Sequence, residues 1–172
     1  MLDWRADAGP LVTALYQAHG VGLIRLAVVM LGDRPAAEDV VQEAFCGLYR
    51  RWDHLANAGN ALGYVRSSVL NGCRSVLRNR SRLHTGPGAE SGGGPDSVES
   101  AESLALVGEE HRAVLAALRR LPARQREALV LRYYLELSEA EIAESMGISP
   151  GTVKSTVSRA LAALGRLLGE NR

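Results

Sequence analysis

The sequence predicts an all-α protein: two small helical domains joined by a flexible tether, the second a helix-turn-helix without a wing. Three observations carry that prediction. Apolar residues recur at helical spacing through most of the 172 residues, and a composition 47% hydrophobic but only 5% aromatic, rich in Ala and Leu, suits helices better than strands. A Gly/Ser/Pro-rich acidic stretch, Leu83–Ser103, has no apolar periodicity and separates two periodic halves. Two helix stop–start signals fall within three residues of each other near the C-terminal end.

That last feature lies in Leu137–Leu168. Ser138 followed by Glu141 is a capping box, in which the hydroxyl satisfies an orphan backbone N–H and the glutamate reaches back. Gly147 suits a left-handed helix end, Ser149 an N-cap, and Pro150 the first turn, where a missing N–H costs nothing. Two short helices forced to cross sharply are the helix-turn-helix signature. In the second of them Val153, Val157, Leu161, Leu164 and Leu168 are expected to face the core. Thr152, Lys154, Ser155, Ser158 and Arg159 occupy the remaining surface, as short polar or cationic groups suited to base edges and phosphates.

The preceding elements follow in order. Leu11–Leu31 is an apolar-rich helix with its stripe through Leu11, Leu15, Ala18, Gly22, Leu26 and Val29. Gly20 and Gly22 weaken its middle by about 1 kcal/mol each and leave room for a bend. Gly32-Asp33-Arg34-Pro35 is the break. The next helix, Pro35 to about Trp52, has a core stripe of Val41, Phe45, Leu48 and Trp52. A polar face of Glu38, Asp39, Gln42, Glu43, Cys46 and Arg50 is acidic at the N-terminal end, where the helix dipole favours it. Asp53–Asn60 is a loop with Asn57 and Gly59 as turn formers. Ala61–Arg80 is helix again, with Leu62, Val65, Val69, Cys73 and Val76 inward. Ser67, Asn71, Arg74 and Arg78 lie on a second face near Tyr64, a combination suited to backbone contacts and base stacking on single-stranded nucleic acid. Beyond the tether, helices are expected over Leu104–Arg120 and from Pro122 to Leu135.

Charge is informative in its distribution rather than its total of +1. Gly59–His84 carries five arginines and no acid, while Thr85–Glu110 carries six acids and no Lys or Arg. Lys154 is the only lysine. Cys46, Cys73 and the four histidines are scattered, without metal or redox spacing. No paired carboxylates, nucleophile–base pair or phosphate-binding loop suggests an enzyme. The N-terminus lacks a leader pattern and no apolar run near 20 residues is expected, so the location expected is cytoplasmic, with no membrane insertion.

In this order the segments GDRPAAEDVVQEAF (Gly32–Phe45), YVRSSVLNGCRSVLRNR (Tyr64–Arg80) and LPARQREALVLRYYLELSEAEIAESMGISPGTVKSTVSRAL (Leu121–Leu161) resemble the extracytoplasmic-function sigma factors of bacterial RNA polymerase. The resemblance covers nearly the whole chain apart from the tether. It implies a non-catalytic promoter-specificity subunit that needs no cofactor. Its partners would be core RNA polymerase, promoter DNA (duplex at −35, single-stranded at −10) and, in some members, an anti-sigma factor. Residues 1–82 resemble region 2, 83–103 the linker, and 104–172 region 4. Asp39, Gln42 and Glu43 match the polar motif of the main polymerase-binding helix. His54, Asn57 and Asn60 of the loop, with Tyr64, Asn71, Arg74 and Arg78, match the part that opens and reads the −10 element. Thr152, Lys154, Ser155, Thr156 and Arg159 match the −35 reader. Two departures stand out: the loop is Ala/Gly/Asn-rich where relatives often carry aromatics, and Thr156 stands where they often carry arginine. A chain ending four residues after Leu168 leaves no expected domain beyond region 4. The alternative reading is a free-standing regulator that dimerises on palindromic half-sites about one helical turn apart.

Overall fold

A computed structural model describes residues 4–54, 60–84 and 109–170, and every regular element among them is helical. The chain divides into two compact units, Met1–Ser97 and Val98–Arg172. The division falls inside the acidic Leu83–Ser103 stretch, most of which, like Asn57, lies outside the described residues.

The first unit is built from α1 (Trp4–Leu31), α2 (Arg34–Arg50), a 3₁₀ turn (Trp52–His54) and α3 (Ala61–His84). Leu23, Leu26, Ala27, Met30 and Leu31 of α1 are buried together with Ala37, Val41, Ala44, Phe45 and Leu48 of α2 and Ala61, Val65, Val69, Leu70 and Cys73 of α3. Burial of each larger aliphatic side chain contributes about 1.5–3 kcal/mol, which is what holds the three helices as one layered bundle. Where α2 crosses α3, Gly72 lets the backbones close: a Cβ there would lie 2.7 Å from Val40 Cγ1.

The turn between α1 and α2 is the best-tied point of this unit. Gly32 adopts φ 67°, ending α1, and Asp33 accepts the Ala36 N–H on Oδ1 at 3.1 Å, starting α2. Its other oxygen takes Arg80 Nη2 at 2.7 Å, while Arg80 Nη1 donates to the Leu31 carbonyl at 2.8 Å. One carboxylate thereby starts a helix and anchors the last turns of α3 to the α1–α2 turn.

Several expectations for this unit need correction. α1 is continuous through Gly20 and Gly22 and begins at Trp4, running across Pro10. Gly20 is buried under the Tyr16 ring, 3.0 Å from where a Cβ would stand, so close packing rather than a bend accounts for it. The apolar stripe is buried mainly in the second half of α1, whereas Leu11 is 47% exposed. The segment Ala8–Leu31, with mean hydropathy 1.5, is also long and apolar enough by length and composition to cross a membrane. Here its buried third packs into the bundle. Trp52 leaves the helical stripe for the 3₁₀ turn and is only half-buried, because α2 ends at Arg50. α3 extends four residues past Arg80.

The second unit contains α4 (Glu109–Arg120), α5 (Ala123–Leu129) running into a π-helical turn (Val130–Tyr134), α6 (Glu139–Met146) and α7 (Pro150–Gly169). The π turn closes with Leu135 N donating to the Val130 carbonyl at 3.1 Å, and Glu136 then takes φ 53°. Around α6 the expected signals all operate. Ser138 N donates to Glu141 Oε2 at 2.8 Å, Glu141 N donates to Ser138 Oγ at 3.3 Å, and Gly147 sits at φ 64°. Ile148 N then reaches back to the Ala143 carbonyl at 3.0 Å, and Thr152 N donates to Ser149 Oγ at 3.2 Å.

Three arginines of this unit turn towards carbonyls that chain ends and turns would otherwise leave unpaired. Arg124 donates to Met146 O (3.0 Å), Arg126 to Arg119 O and Leu121 O (3.0 and 3.2 Å), and Arg132 to Leu137 O (3.2 Å). Burial, with Arg119 as a like-charged neighbour, pushes the Arg126 guanidinium below its ordinary range.

The expected α7 core stripe holds at Val153, Val157, Leu164 and Leu168 and departs at Leu161. Val153, Thr156 and Ala160 are buried, with Val157, Ala163, Leu164 and Leu167 partly so, whereas Leu161 is 43% exposed. Small residues at Thr156 and Ala160 let α7 approach the Leu121–Leu129 cluster closely, and this outweighs the larger area of Leu161.

Three consequences can be checked by urea unfolding. Gly72→Ala overpacks the α2–α3 crossing and lowers stability by about 1–3 kcal/mol. Gly63→Ala, in a helix with nothing within 4 Å of the new methyl, raises it by about 0.5–1 kcal/mol. Asp33→Ala removes the α2 cap and the Arg80 anchor together and costs about 1–2 kcal/mol. Most of that loss comes from the cap, since the ion pair is partly solvated.

Candidate nucleic-acid interface

On α2, Asp39, Gln42, Glu43 and Cys46 follow one another at i, i+3, i+4 and i+7 and are all exposed. Their charges are not equivalent. Glu38 is paired with Arg34 at 2.8 Å, and Glu43 with Arg50 at 2.5 Å. The hydrogen bond and the charge of Glu43 raise the Arg50 guanidinium above its ordinary value. The face is therefore less acidic than the sequence suggests: two of its carboxylates are balanced within the helix, which leaves Asp39 and the Gln42 amide between them.

Two grooves flank α2. One, about 960 Å³, separates it from the first half of α1 and is lined by Val12, Tyr16, Gln42, Phe45, Cys46 and Tyr49, among others. Tyr16 packs edge-on against Phe45 there, with ring centroids 5.1 Å apart. The other, about 560 Å³, lies between α2 and α3 and is lined by Asp39, Glu43, Tyr64, Ser68, Asn71 and Gly72, among others. The α2 and α3 residue sets, expected as separate surfaces, thus border a common groove. Ser68 and Arg51, which also line it, were not expected; the signal was available in the i, i+4 spacing of Tyr64, Ser68 and Gly72.

The α3 residues divide into two groups. Tyr64 is half-buried, its hydroxyl 3.2 Å from the position a Cβ would take on Gly47, so the ring leans on α2. Asn71, Arg74, Ser75 and Arg78 run along the outer side: Arg74 Nη1 donates to Asn71 Oδ1 at 2.7 Å, and Arg78 Nη2 to Ser75 Oγ at 3.3 Å. These contacts hold the guanidinium groups in line along the helix. His54 is exposed in the 3₁₀ turn, its N–H on the Arg51 carbonyl at 3.0 Å, and Asn60 is exposed at the entrance of α3. Asn57 lies outside the described residues.

On α7, Thr152, Lys154, Ser155, Ser158 and Arg159 are exposed. Thr156 is not: at 7% exposure it packs inward, which corrects its place among the outward-facing candidates. Most of the exposed groups engage the helix itself. Thr152 Oγ1 is 2.9 Å from Ser149 Oγ, Ser155 Oγ donates to Thr152 O at 3.0 Å, and Arg159 Nε donates to Ser155 O at 3.2 Å. Lys154 has 72% of its side chain exposed and its Nζ 3.9 Å from Glu139 of α6. The outcome is a preordered polar surface on the second helix of a helix-turn-helix, where such proteins meet the major groove.

A three-helix unit with this polar α2, followed by a helix-turn-helix unit, defines a sigma-70-type initiation factor. The sigma-70 region 2 model matches residues 15–83 and the sigma-70 region 4 model matches residues 111–164. The chain is 33% identical over 174 residues to the ECF RNA polymerase sigma factor SigL of Mycobacterium tuberculosis (strain H37Rv), covering 96% of this chain and 93% of that one. It is 33% identical over 144 residues to the RNA polymerase sigma-E factor of Streptomyces coelicolor, covering 83% and 77%. Its fold is similar to that of CnrH in complex with the cytosolic domain of CnrY (TM-score 0.69, 23% identity, 98% of both chains). It is likewise similar to RpoE in complex with the anti-sigma factor NepR from Bartonella quintana (TM-score 0.66, 24% identity, 100% of both chains). This chain belongs to the ECF RNA polymerase sigma factors. It is a transcription initiation factor and not an enzyme, and its partners are core RNA polymerase and promoter DNA.

The arrangement on α3 makes a direct check available. Asn71→Ala removes the acceptor that holds Arg74 and is expected to reduce affinity for single-stranded promoter DNA in the holoenzyme by a few-fold. Fluorescence anisotropy on an oligonucleotide of the non-template strand measures it.

Proposed function

We propose that this sigma factor docks on core polymerase through Asp39 and Gln42, with Glu43 held beside them by Arg50. It captures the opened −10 strand on α3 and reads the −35 element as duplex with α7. The observation that carries the reading is the groove between α2 and α3. Asp39 and Glu43 line one wall and Tyr64, Ser68 and Asn71 the other, which supports a polymerase-facing surface beside a strand-facing one. Docking through α2 then brings unpaired bases to α3 without a separate movement of the unit. His54 and Asn60 border the base-capture end, and Arg74 and Arg78 hold the phosphates. Extruding a base from the stack costs a few kcal/mol, offset jointly by charge attraction and by Tyr64 and its neighbours.

In the second unit Arg159 and Lys154 are the principal contacts, with Thr152 and Ser155 as shorter partners to phosphate or base edge. Thr156 acts from behind by seating the helix. Because most of these groups are already engaged by their own helix, duplex affinity of the isolated factor is low, and the polymerase supplies the rest by holding both units on one promoter. The site of action is then the cytoplasm. An anti-sigma protein is a further partner in this reading, supported by the similar fold of RpoE, solved in complex with the anti-sigma factor NepR.

Reconstitution with purified core enzyme tests the whole. The holoenzyme starts transcripts at defined sites and renders −10 thymines reactive to permanganate, while the factor alone binds the same duplexes weakly. Site-specific binding by a dimer without core enzyme would instead identify a free-standing regulator. Within this frame Asp39→Ala combined with Gln42→Ala weakens core binding about tenfold or more, with an unchanged unfolding midpoint. Glu38→Ala, which touches only the Arg34 pair, leaves core binding as it was. Arg159→Ala costs about 1–3 kcal/mol at promoters bearing one −35 sequence if it reads a base, as competition between promoter variants would show.

A further inference from the structure

We propose that Glu139 restrains the DNA affinity of the helix-turn-helix by holding Lys154, so that it acts as a positioning residue for the −35 reader. The proposal rests on the reading of α7 as the duplex-facing helix. Glu139 opens α6, and its Oε2 lies 3.9 Å from Nζ of Lys154 on α7, an ion pair that spans the turn between the two helices. The neighbouring acid on the same turn is committed elsewhere: Glu141 accepts from the Ser138 N–H and hydroxyl at 2.8 and 2.7 Å. On α7, Thr152, Ser155 and Arg159 are each hydrogen-bonded to their own helix or its cap. Lys154 is the outward cation whose one ion-pair partner among the described residues comes from a different helix.

This geometry sets two opposing effects at one point. In a helix-turn-helix the first helix crosses the phosphate backbone while the second enters the groove. A helix N-terminus would by its dipole favour a phosphate there, and a carboxylate in that first turn opposes it. Lys154 must leave Glu139 to reach a phosphate or base edge, and Glu139 is then left facing the DNA polyanion. Both effects lower duplex affinity at every sequence, while the hydrogen-bonded groups of α7 stay ordered. Such a restraint keeps the factor from occupying duplex DNA before polymerase aligns it.

The test is a double-mutant cycle on the full-length chain, titrated without polymerase into a short mixed-sequence DNA duplex at low salt and again at rising salt. Glu139→Gln raises affinity about two- to five-fold, the scale of one exposed ion pair. Lys154→Ala lowers affinity and reduces the salt dependence by about one counterion. In the Lys154→Ala background Glu139→Gln gives less than half its gain. Unfolding midpoints equal to the parent's exclude a folding effect, since the Ser138–Glu141 capping box is untouched by either change. An unchanged affinity in Glu139→Gln, or an equal gain with and without Lys154, overturns the restraint and leaves the −35 reading standing. If Lys154→Ala changes neither affinity nor salt dependence, the DNA-facing assignment of this part of α7 falls, and the restraint with it.

Discussion

Backbone N–H groups at a helix start have no partner within the helix, and in this protein their satisfaction determines where the helices begin and how they cross. Asp33, Ser138 and Ser149 each place a side-chain oxygen on the amide two or three residues ahead. A helix that must start at Ser149, one residue after a chain reversal made by Gly147 and Ile148, cannot run on from α6; it has to turn away from it. Ile142, Met146 and Val153, on either side of that turn, are all buried. In the first unit the same requirement at Asp33 places α2 against α1, and the second carboxylate oxygen recruits Arg80, so the cap also orients α3. Surface chemistry follows from these starting points, because moving a helix start by one residue rotates every outward side chain by about a quarter of a turn.

Arginine use separates the two units. In the second unit Arg124, Arg126 and Arg132 serve carbonyls of turns and helix ends, which needs a planar, multiply donating cation. On α3, Arg74 and Arg78 lie along the outer face, with Asn71 and Ser75 as short braces, while Arg80 ties the helix to the α1–α2 turn. On α2, Arg34 and Arg50 neutralise acids of their own helix. A residue type abundant throughout the chain thus serves as scaffold, as contact surface and as charge balance according to position. A net charge of +1 conveys none of this.

The two interfaces also differ in preparation. The α2–α3 surface is an open groove with mixed polar walls, suited to receive a partner. The α7 surface is engaged with itself through Ser149, Thr152, Ser155 and Arg159.

The sequence by itself determined the all-helical class, the capping box at Ser138 and Glu141, the reversal at Gly147, the N-caps, most of the buried stripe of α2, and the family. Each of these is local, or a pattern along one helix, and needs no knowledge of neighbouring elements. Tertiary structure decided the rest. It turned Thr156 inward and Leu161 outward, because close approach of α7 to its core favours small residues over a larger side chain that would hold the helices apart. It brought Asp39 and Asn71 to the walls of one groove. Contacts of this kind depend on the distance and rotation between helices, and the apolar periodicity of a single helix carries no information about either.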